Sequence, residues 1–204
     1  MSSALTTKTL SPNPNPLKQF ESWFKEATKL GISIPEAMTL ATVSSDGTPD
    51  ARIVLLKKIS KTGLEFFTNY KSPKGQHLNS NPKACCIFFW EPLARQVRIR
   101  GVVQKLSDSE SDTYFQSRPR GSQIGAWCSP QSEKVPDRDV LETRFKELER
   151  QYENQEIPRP PHWGGYLLKP TYFEFWQGQD NRLHDRFAYE LQPDGNWEIS
   201  RLAP

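Results

Sequence analysis

The feature that most restricts the fold is a succession of short runs with a two-residue period. "MTLATV" (38–43), "ARIVLLKK" (51–58), "GLEFFTNY" (63–70), "ACCIFFW" (84–90) and "RQVRIRGVVQKL" (95–106) follow at short intervals, rich in β-branched and aromatic residues. In the last run Val97 and Ile99 fall on one face of a strand, and Gln96, Arg98 and Arg100 on the other. "SSDGTP" carries an Asp-Gly turn signal between the first two runs, so a hairpin opens the sheet. The gaps are too short for the helical crossovers of parallel strands, and the spacing is that of a barrel or sandwich. "GGYLLKP", "TYFEFWQG", "RFAYEL" and "WEISRL" add strands near the end of the chain. The expected class is mainly β with peripheral helices.

Three helices are expected around that sheet. After Pro16, the residues Leu17, Phe20, Phe24 and Ala27 recur at helical spacing, and Gly31 stands where such a helix stops. "SDSESDTYFQSRP" pairs Ser107 with Glu110 as a capping box and closes at Arg118 before Pro119. Tyr114 and Arg118, four residues apart, then project from one face. In "PDRDVLETRFKELERQYENQ" the stripe Leu141, Phe145, Leu148 and Tyr152 packs a third helix on the sheet. Residues 1–16, whose Asn-Pro repeats cannot sustain a regular hydrogen-bond ladder, are expected to form a disordered tail, and 17–204 a single domain.

Aromatic content decides whether so lean a chain can build a core. Hydrophobic residues are only 35%, but six Trp, six Tyr and eleven Phe each bury a large area. Cys85, Cys86 and Cys128 are odd in number and lack CxxC spacing, which indicates neither a disulfide framework nor a metal site. Reduced thiols point to a cytoplasmic address. No run approaches the ~20 apolar residues of a membrane span. A net charge of +3, without an aromatic strand of the RNA-recognition type, argues against a nucleic-acid partner.

Charge is instead concentrated locally. Arg52 and Lys57 bracket the apolar run 53–56, and their odd separation places them on opposite faces of a strand. "SRPRGSQIGAW" surrounds Pro119 and Gly121 with Arg118, Arg120 and Ser122, a turn that offers a charged fork and a hydroxyl to a phosphate ester. "SPQSEKV" adds Gln131 and Ser132 as neutral donors. No Gly-rich phosphate loop occurs, so side chains must hold any phosphate. "WQGQDNRLHDR" crowds Arg182, His184, Asp185 and Arg186 between two strands; if that segment is extended, positions 182, 184 and 186 share one side.

In order along the chain, "RIVLLK", "FFTN", "RQVRIRG", "YFQSRPRGSQIGAW", "PQS", "WGG", "EFWQG", "RLHDR" and the terminal "RLAP" resemble the signature segments of the pyridoxine/pyridoxamine 5′-phosphate oxidase family, over roughly residues 17–204. The resemblance implies a homodimeric, FMN-binding split β-barrel whose two active sites lie between subunits. By similarity, FMN is held by Arg52, Ile53, Val54, Leu55, Leu56 and Lys57, by Phe67, Thr68 and Lys74, and by Gln96, Gln131, Ser132, Trp176 and Arg186. Lys57, Tyr114, Arg118 and Ser122 meet the substrate phosphate. Arg182 and His184, the implied catalytic pair, lie over the reacting pyridine ring, with Asp185 orienting neighbouring arginines. The implied partners are pyridoxine 5′-phosphate or pyridoxamine 5′-phosphate, O2 and a second copy of the chain, with no metal, nucleic acid or membrane. The implied reaction is hydride transfer from substrate C4′ to flavin N5, followed by reoxidation of the flavin by dioxygen to give hydrogen peroxide.

The chain departs from the family pattern at Pro73, where a basic residue commonly precedes the lysine, here Lys74; Lys71 is the nearest substitute. It also lacks the N-terminal Arg-x-x-Tyr segment that family members fold over the substrate. A non-catalytic carrier or sensor for FMN or pyridoxal phosphate is the competing reading. The retained "RLHDR" and "SRPRGS" argue against it, because a flavin holder has no use for a substrate-phosphate set.

Overall fold

The computed structural model describes residues 9–204. Among them, nine strands form one sheet in which every pairing is antiparallel: β1 (Ala37–Val43), β2 (Pro49–Leu55), β3 (Lys58–Ser60), β4 (Gly63–Asn69), β5 (Lys83–Trp90), β6 (Arg95–Lys105), β7 (Trp163–Gln177), β8 (Asp185–Leu191) and β9 (Trp197–Arg201). The order is β2-β1-β5-β6-β7-β4-β3, with β8 and then β9 branching from β7. The expected Asp-Gly hairpin joins β1 and β2, with Gly47 at φ +88° in its turn.

β7 is where the sheet forks. "GGYLLKP" and "TYFEFWQG", expected as two strands, are one strand of 15 residues. One edge of β7 pairs with β6 along most of its length; the other pairs first with β4, from Trp163 to Leu168, and then with β8, from Tyr172 to Gln177. The change of partner falls around Pro170, which has no N–H to donate. The β6 register also shifts there, between Arg100 and Gly101. A Cβ on Gly101 would stand 2.1 Å from the Lys169 carbonyl oxygen, so glycine is what lets the two backbones close at the fork.

The core follows from the alternation. Met38 and Leu40 on β1, Cys86, Phe88 and Trp90 on β5, and Val97 and Ile99 on β6 are all buried, while Phe89 between its buried neighbours is 59% exposed. "CCIFFW" therefore presents one exposed aromatic ring. Helix α1 (Pro16–Lys29) is capped by Asn15, begins on a proline and buries Phe20, Trp23 and Ala27. Phe20 lies 4.9 Å from Phe88 and Trp23 meets Phe175 edge-on at 5.3 Å. Each such ring contributes about 1.5–3 kcal/mol by leaving water.

Five α-helices are present among the described residues where the periodicity predicts three. The two additional ones are α2 (Pro73–Ser80) and α4 (Arg120–Cys128). α2 is eight residues long, too short for a periodic signal. In α4, Gly121 and Gly125 oppose helix formation, and burial of Gln123, Ile124 and Cys128 overrides them. Helix α3 (Asp108–Gln116) has the expected capping box but ends before Arg118, which sits in the following turn. Helix α5 (Arg138–Gln151) stands on α4 and not on the sheet: Phe145, Leu148 and Tyr152 pack against a second cluster of Phe115, Ile124, Ile157 and Trp163.

The expected tail lies partly outside the described residues, and its described part is docked. Leu10 is buried with its N–H on Asp185 Oδ2 at 3.1 Å, Tyr189 Oη donates to the Asn13 carbonyl at 2.9 Å, and Pro16 already belongs to α1. The three cysteines carry free thiols. No helix among the described residues is long and apolar enough to cross a membrane.

Packing is tight behind Phe67 at Gly165 on β7, where a Cβ would lie 2.5 Å from Leu106 Cδ1 and 2.7 Å from Phe67 Cε1. Gly165→Ala is expected to cost about 1–3 kcal/mol through overpacking. A thermal melt followed by circular dichroism reads the loss; an unchanged Tm would show that the Phe67 ring has room to move.

Candidate active site

A cleft of about 700 Å³ opens where β2, β4, α2 and the α3–α4 turn meet. Arg52, Ile53, Val54, Leu55 and Lys57 line it from β2 and the residues just beyond; Phe67 and Thr68 come from β4, Lys74 from α2, Tyr114 from α3, Arg118 and Ser122 from the turn and α4, and Gln131 and Ser132 from the loop after α4. Arg52 and Lys57 share this cleft, contrary to the alternation argument. β2 ends at Leu55, so the two-residue period does not reach Lys57. Leu56 turns into the core, 5% exposed.

Lys74 sets the electrostatics of one wall. Pro73 occupies the first turn of α2, a position that needs no N–H, and places Lys74 directly behind it. The Lys74 ammonium is buried and donates to Gln131 Oε1 at 3.0 Å, Ser72 Oγ at 3.2 Å and Thr68 Oγ1 at 3.3 Å. All three acceptors are neutral. Burial, followed by repulsion from Arg52, brings its pKa down to about 8, with Asp50 opposing. Arg52 is itself fixed by the Leu40 carbonyl at 3.1 Å, by Thr42 Oγ1 at 2.7 Å and by Asp50. Lys71 is exposed and does not line the cleft, so it does not replace the missing basic residue.

The opposite wall is aromatic and cationic. Tyr114 stacks on Phe67 at 3.8 Å, Phe67 lies 5.6 Å from Trp163, and the Arg118 guanidinium sits 4.5 Å from the Trp163 ring. Arg118 Nη1 is buried without a hydrogen-bond partner among the described residues. Neither Arg118, Lys57 nor Lys74 has a carboxylate within ion-pair distance among those residues. Ser132 holds a left-handed backbone at φ +70°, a strain that persists only where the surroundings fix it. Arg120 is spent on the Gln155 and Tyr152 carbonyls and takes no part in the cleft.

The remaining expected residues gather elsewhere. Gln96, Trp176 and Arg186 lie in one row across β6, β7 and β8, and the His184 ring is 4.6 Å from Trp176. Arg182 is exposed beside them, at φ +62° in a single 3-10 turn (Asp180–Arg182), so the segment is not extended and the alternation of 182, 184 and 186 does not hold. Asp185 orients neither Arg182 nor Arg186: it pairs with Arg201 at 2.6 Å. Burial pushes its carboxyl up, but Arg201, the Leu10 N–H and Gln179 outweigh burial and hold it below the usual range. Arg186 binds Glu174 at 2.9 Å. None of these residues lines the cleft.

Two structural contributors escaped the sequence reading. Trp163 was visible only as part of "WGG". Arg159 bonds Asp112 at 2.5 Å, Asp108 at 2.6 Å and the Trp163 carbonyl at 2.7 Å, which ties α3, and so Tyr114, to the ring beneath Arg118. Its partners on α3 are 47 and 51 positions away, beyond any local pattern.

Residues 24–152 match the family model described as pyridoxamine 5′-phosphate oxidase, and residues 163–204 match that of the pyridoxine 5′-phosphate oxidase C-terminal dimerisation region. The chain belongs to this oxidase family. It is 55% identical over 192 residues to the pyridoxine/pyridoxamine 5′-phosphate oxidase of Cyanothece sp., covering 94% of this chain and 90% of that one. Among solved structures, PhzG from Burkholderia lata 383, in complex with tetrahydrophenazine-1-carboxylic acid, superposes with a TM-score of 0.90 at 30% identity, covering 95% of each chain. A pyridoxamine 5′-phosphate oxidase-related, FMN-binding protein of Nostoc punctiforme superposes at 0.74 with 16% identity, over 96% of this chain and 100% of that one, a likeness of fold. The forked sheet is thus the split barrel of the family.

A dianionic phosphate ester bound beside Lys74 restores its proton affinity. Affinity is therefore expected to be flat below pH 8 and to fall by up to about tenfold per pH unit above it, as binding must then take up a proton. Titration calorimetry from pH 7 to 9.5, in buffers of different ionisation enthalpy, reads both effects. Lys74→Met should flatten the profile; a wild-type affinity that ignores pH would remove Lys74 from the anion site.

Proposed function

We propose that the chain is an FMN-dependent pyridoxine/pyridoxamine 5′-phosphate oxidase, which oxidises pyridoxine 5′-phosphate or pyridoxamine 5′-phosphate with O2 to pyridoxal 5′-phosphate and releases hydrogen peroxide. One observation carries the reading: a single cleft holds uncompensated buried cationic groups on two separate walls. Two such groups fit two phosphate esters, one on the cofactor and one on the substrate.

FMN, when bound, supplies the two-electron acceptor. Lys74, with Arg52 nearby, provides charge for its phosphate, while Thr68 and Gln131 fix the Lys74 ammonium. Arg118 offers its unpaired Nη1 to the substrate phosphate, with Lys57, Tyr114 and Ser122 on the same cleft surface. Tyr114, Phe67 and Trp163 form a stacked wall that keeps water from that end. Arg182 and His184 orient the substrate ring, and they reach it from a second copy. The observation behind this last step is the division of the site: Trp176, Arg182, His184 and Arg186 all fall in the segment matching the dimerisation region, and none lines its own chain's cleft.

The PhzG complex suggests the alternative substrate class, a carboxylated tricycle without phosphate. Arg118 in company with Tyr114, Ser122 and Lys57 favours the phosphate ester, as does 55% identity to a relative named for that substrate.

The purified protein is expected to be yellow, to release FMN and not FAD on denaturation, and to scatter light as twice 23.5 kDa. Anaerobic pyridoxamine 5′-phosphate should bleach the flavin. Arg118→Ala should raise the KM for that substrate about 10- to 100-fold through loss of a charge-assisted contact of ~1.5–3 kcal/mol, with bound FMN retained. Flavin that no vitamin B6 phosphate reduces would sink the oxidase and favour a carrier; a fully active monomer would sink the shared site.

A further inference from the structure

The geometry points to a fixed proton placement on His184: Nε2 carries the hydrogen and Nδ1 carries none. His184 is then a hydrogen-bond donor toward the substrate, and serves neither as the base that takes a substrate proton nor as an imidazolium acid. The donor role rests on the proposed function, since that reading brings a substrate to this residue; the proton placement does not.

The deciding contact is short and local. The Gln179 backbone N–H donates to His184 Nδ1 at 3.1 Å. A backbone N–H can only donate, so Nδ1 must present its lone pair, and a neutral imidazole with that lone pair in use bears its hydrogen on Nε2. Nε2 therefore has no lone pair with which to accept a proton. An imidazolium would place a hydrogen on Nδ1 directly against the Gln179 N–H.

The loop is built to keep that contact. Gln179 is held a second time, through its side-chain Nε2 on Asp185 Oδ2 at 2.9 Å, and Asp185 is pinned in turn by Arg201 and by the Leu10 N–H. Asn181 and Arg182, at φ +56° and +62°, reverse the chain between these two anchors and return the Gln179 amide to His184. An arginine in the left-handed region persists only where its flanks are fixed, as they are here. The carboxylates of the two strands beside the loop are engaged elsewhere. Asp185 on β8 is paired with Arg201 of β9, and Glu174 on β7 with Arg98 and Arg186. Arg182 and Arg186 flank His184 in sequence. Asp180, exposed in the 3-10 turn, stands outside these pairs among the described residues. With Nδ1 occupied by the Gln179 N–H, the proton lost from the substrate's 4′-amine or 4′-hydroxyl must leave by another route.

Two measurements on the full-length, FMN-loaded protein decide it. Long-range proton–nitrogen correlation spectra of the imidazoles at pH 7.5 contain three histidines, His77, His162 and His184, and His184→Gln identifies the third. The expected pattern is a pyridine-type Nδ1 and a pyrrole-type Nε2; a protonated Nδ1 overturns the proposal. In anaerobic stopped flow, His184→Gln, whose amide NH2 can donate but cannot act as a base, should reduce the flavin about tenfold faster than His184→Phe. The wild-type rate should show no pH limb that both variants lose. If Gln is as slow as Phe, and the wild-type rate climbs with a histidine ionisation absent from both, His184 is a base and the donor role falls. If pyridoxamine 5′-phosphate never bleaches the wild-type flavin, the proposed substrate fails, while the spectra still decide where the proton sits.

Discussion

The closure of β6 onto β7 at Gly101 is the constraint from which the rest of the architecture follows. A side chain there would collide with the Lys169 carbonyl, and without that approach β7 could not continue past Pro170 as one strand. Because it does continue, its first half can support β4 and the cleft while its second half supports β8 and the Arg-Leu-His-Asp-Arg segment. One strand thus carries two separate surfaces. They are rigidly related but separated within a chain, which makes a symmetric pair of chains the economical way to bring them together.

Within the cleft the protein leaves positive charge unanswered. Lys74 is surrounded by a carboxamide and two hydroxyls, and Arg118 by aromatic rings, with no carboxylate at ion-pair distance among the described residues whose attraction would offset the desolvation of either cation. A buried cation held this way binds an incoming anion strongly, since the desolvation penalty has been met during folding. Arg159 shows the contrast: it pairs with two aspartates and serves the scaffold.

Much of this was legible in the chain. The alternation in "RQVRIRG", the Asp-Gly hairpin and the Ser107–Glu110 capping box are local signals, and each appears in the structure as read. What was misread depends on partners distant in sequence. α4 forms against its glycines because Ile124 finds Phe115 and Trp163; α5 follows it away from the sheet. The opposite-face assignment of Arg52 and Lys57 failed because β2 ends two residues before Lys57, and that end is set by pairing with β1 and not by composition. The residues that the segment resemblance implies as one site fall on two surfaces in the fold, the cleft and the row across β6, β7 and β8.

The contacts around Asp185 also give the molecule an unusual mechanical layout. Leu10 hangs on Asp185, Arg201 grips the same carboxylate, and the Ala203 carbonyl receives Arg186 at 2.7 Å. Segments near both ends of the described chain thus converge on the few residues flanking His184. Fusion partners, affinity handles and surface immobilisation are usually placed at termini because termini are assumed inert. In this protein a pull transmitted to Leu10 or to the Arg201–Ala203 segment acts as a lever on the loop that holds His184, so attachments belong on the solvent-facing side of α5 instead.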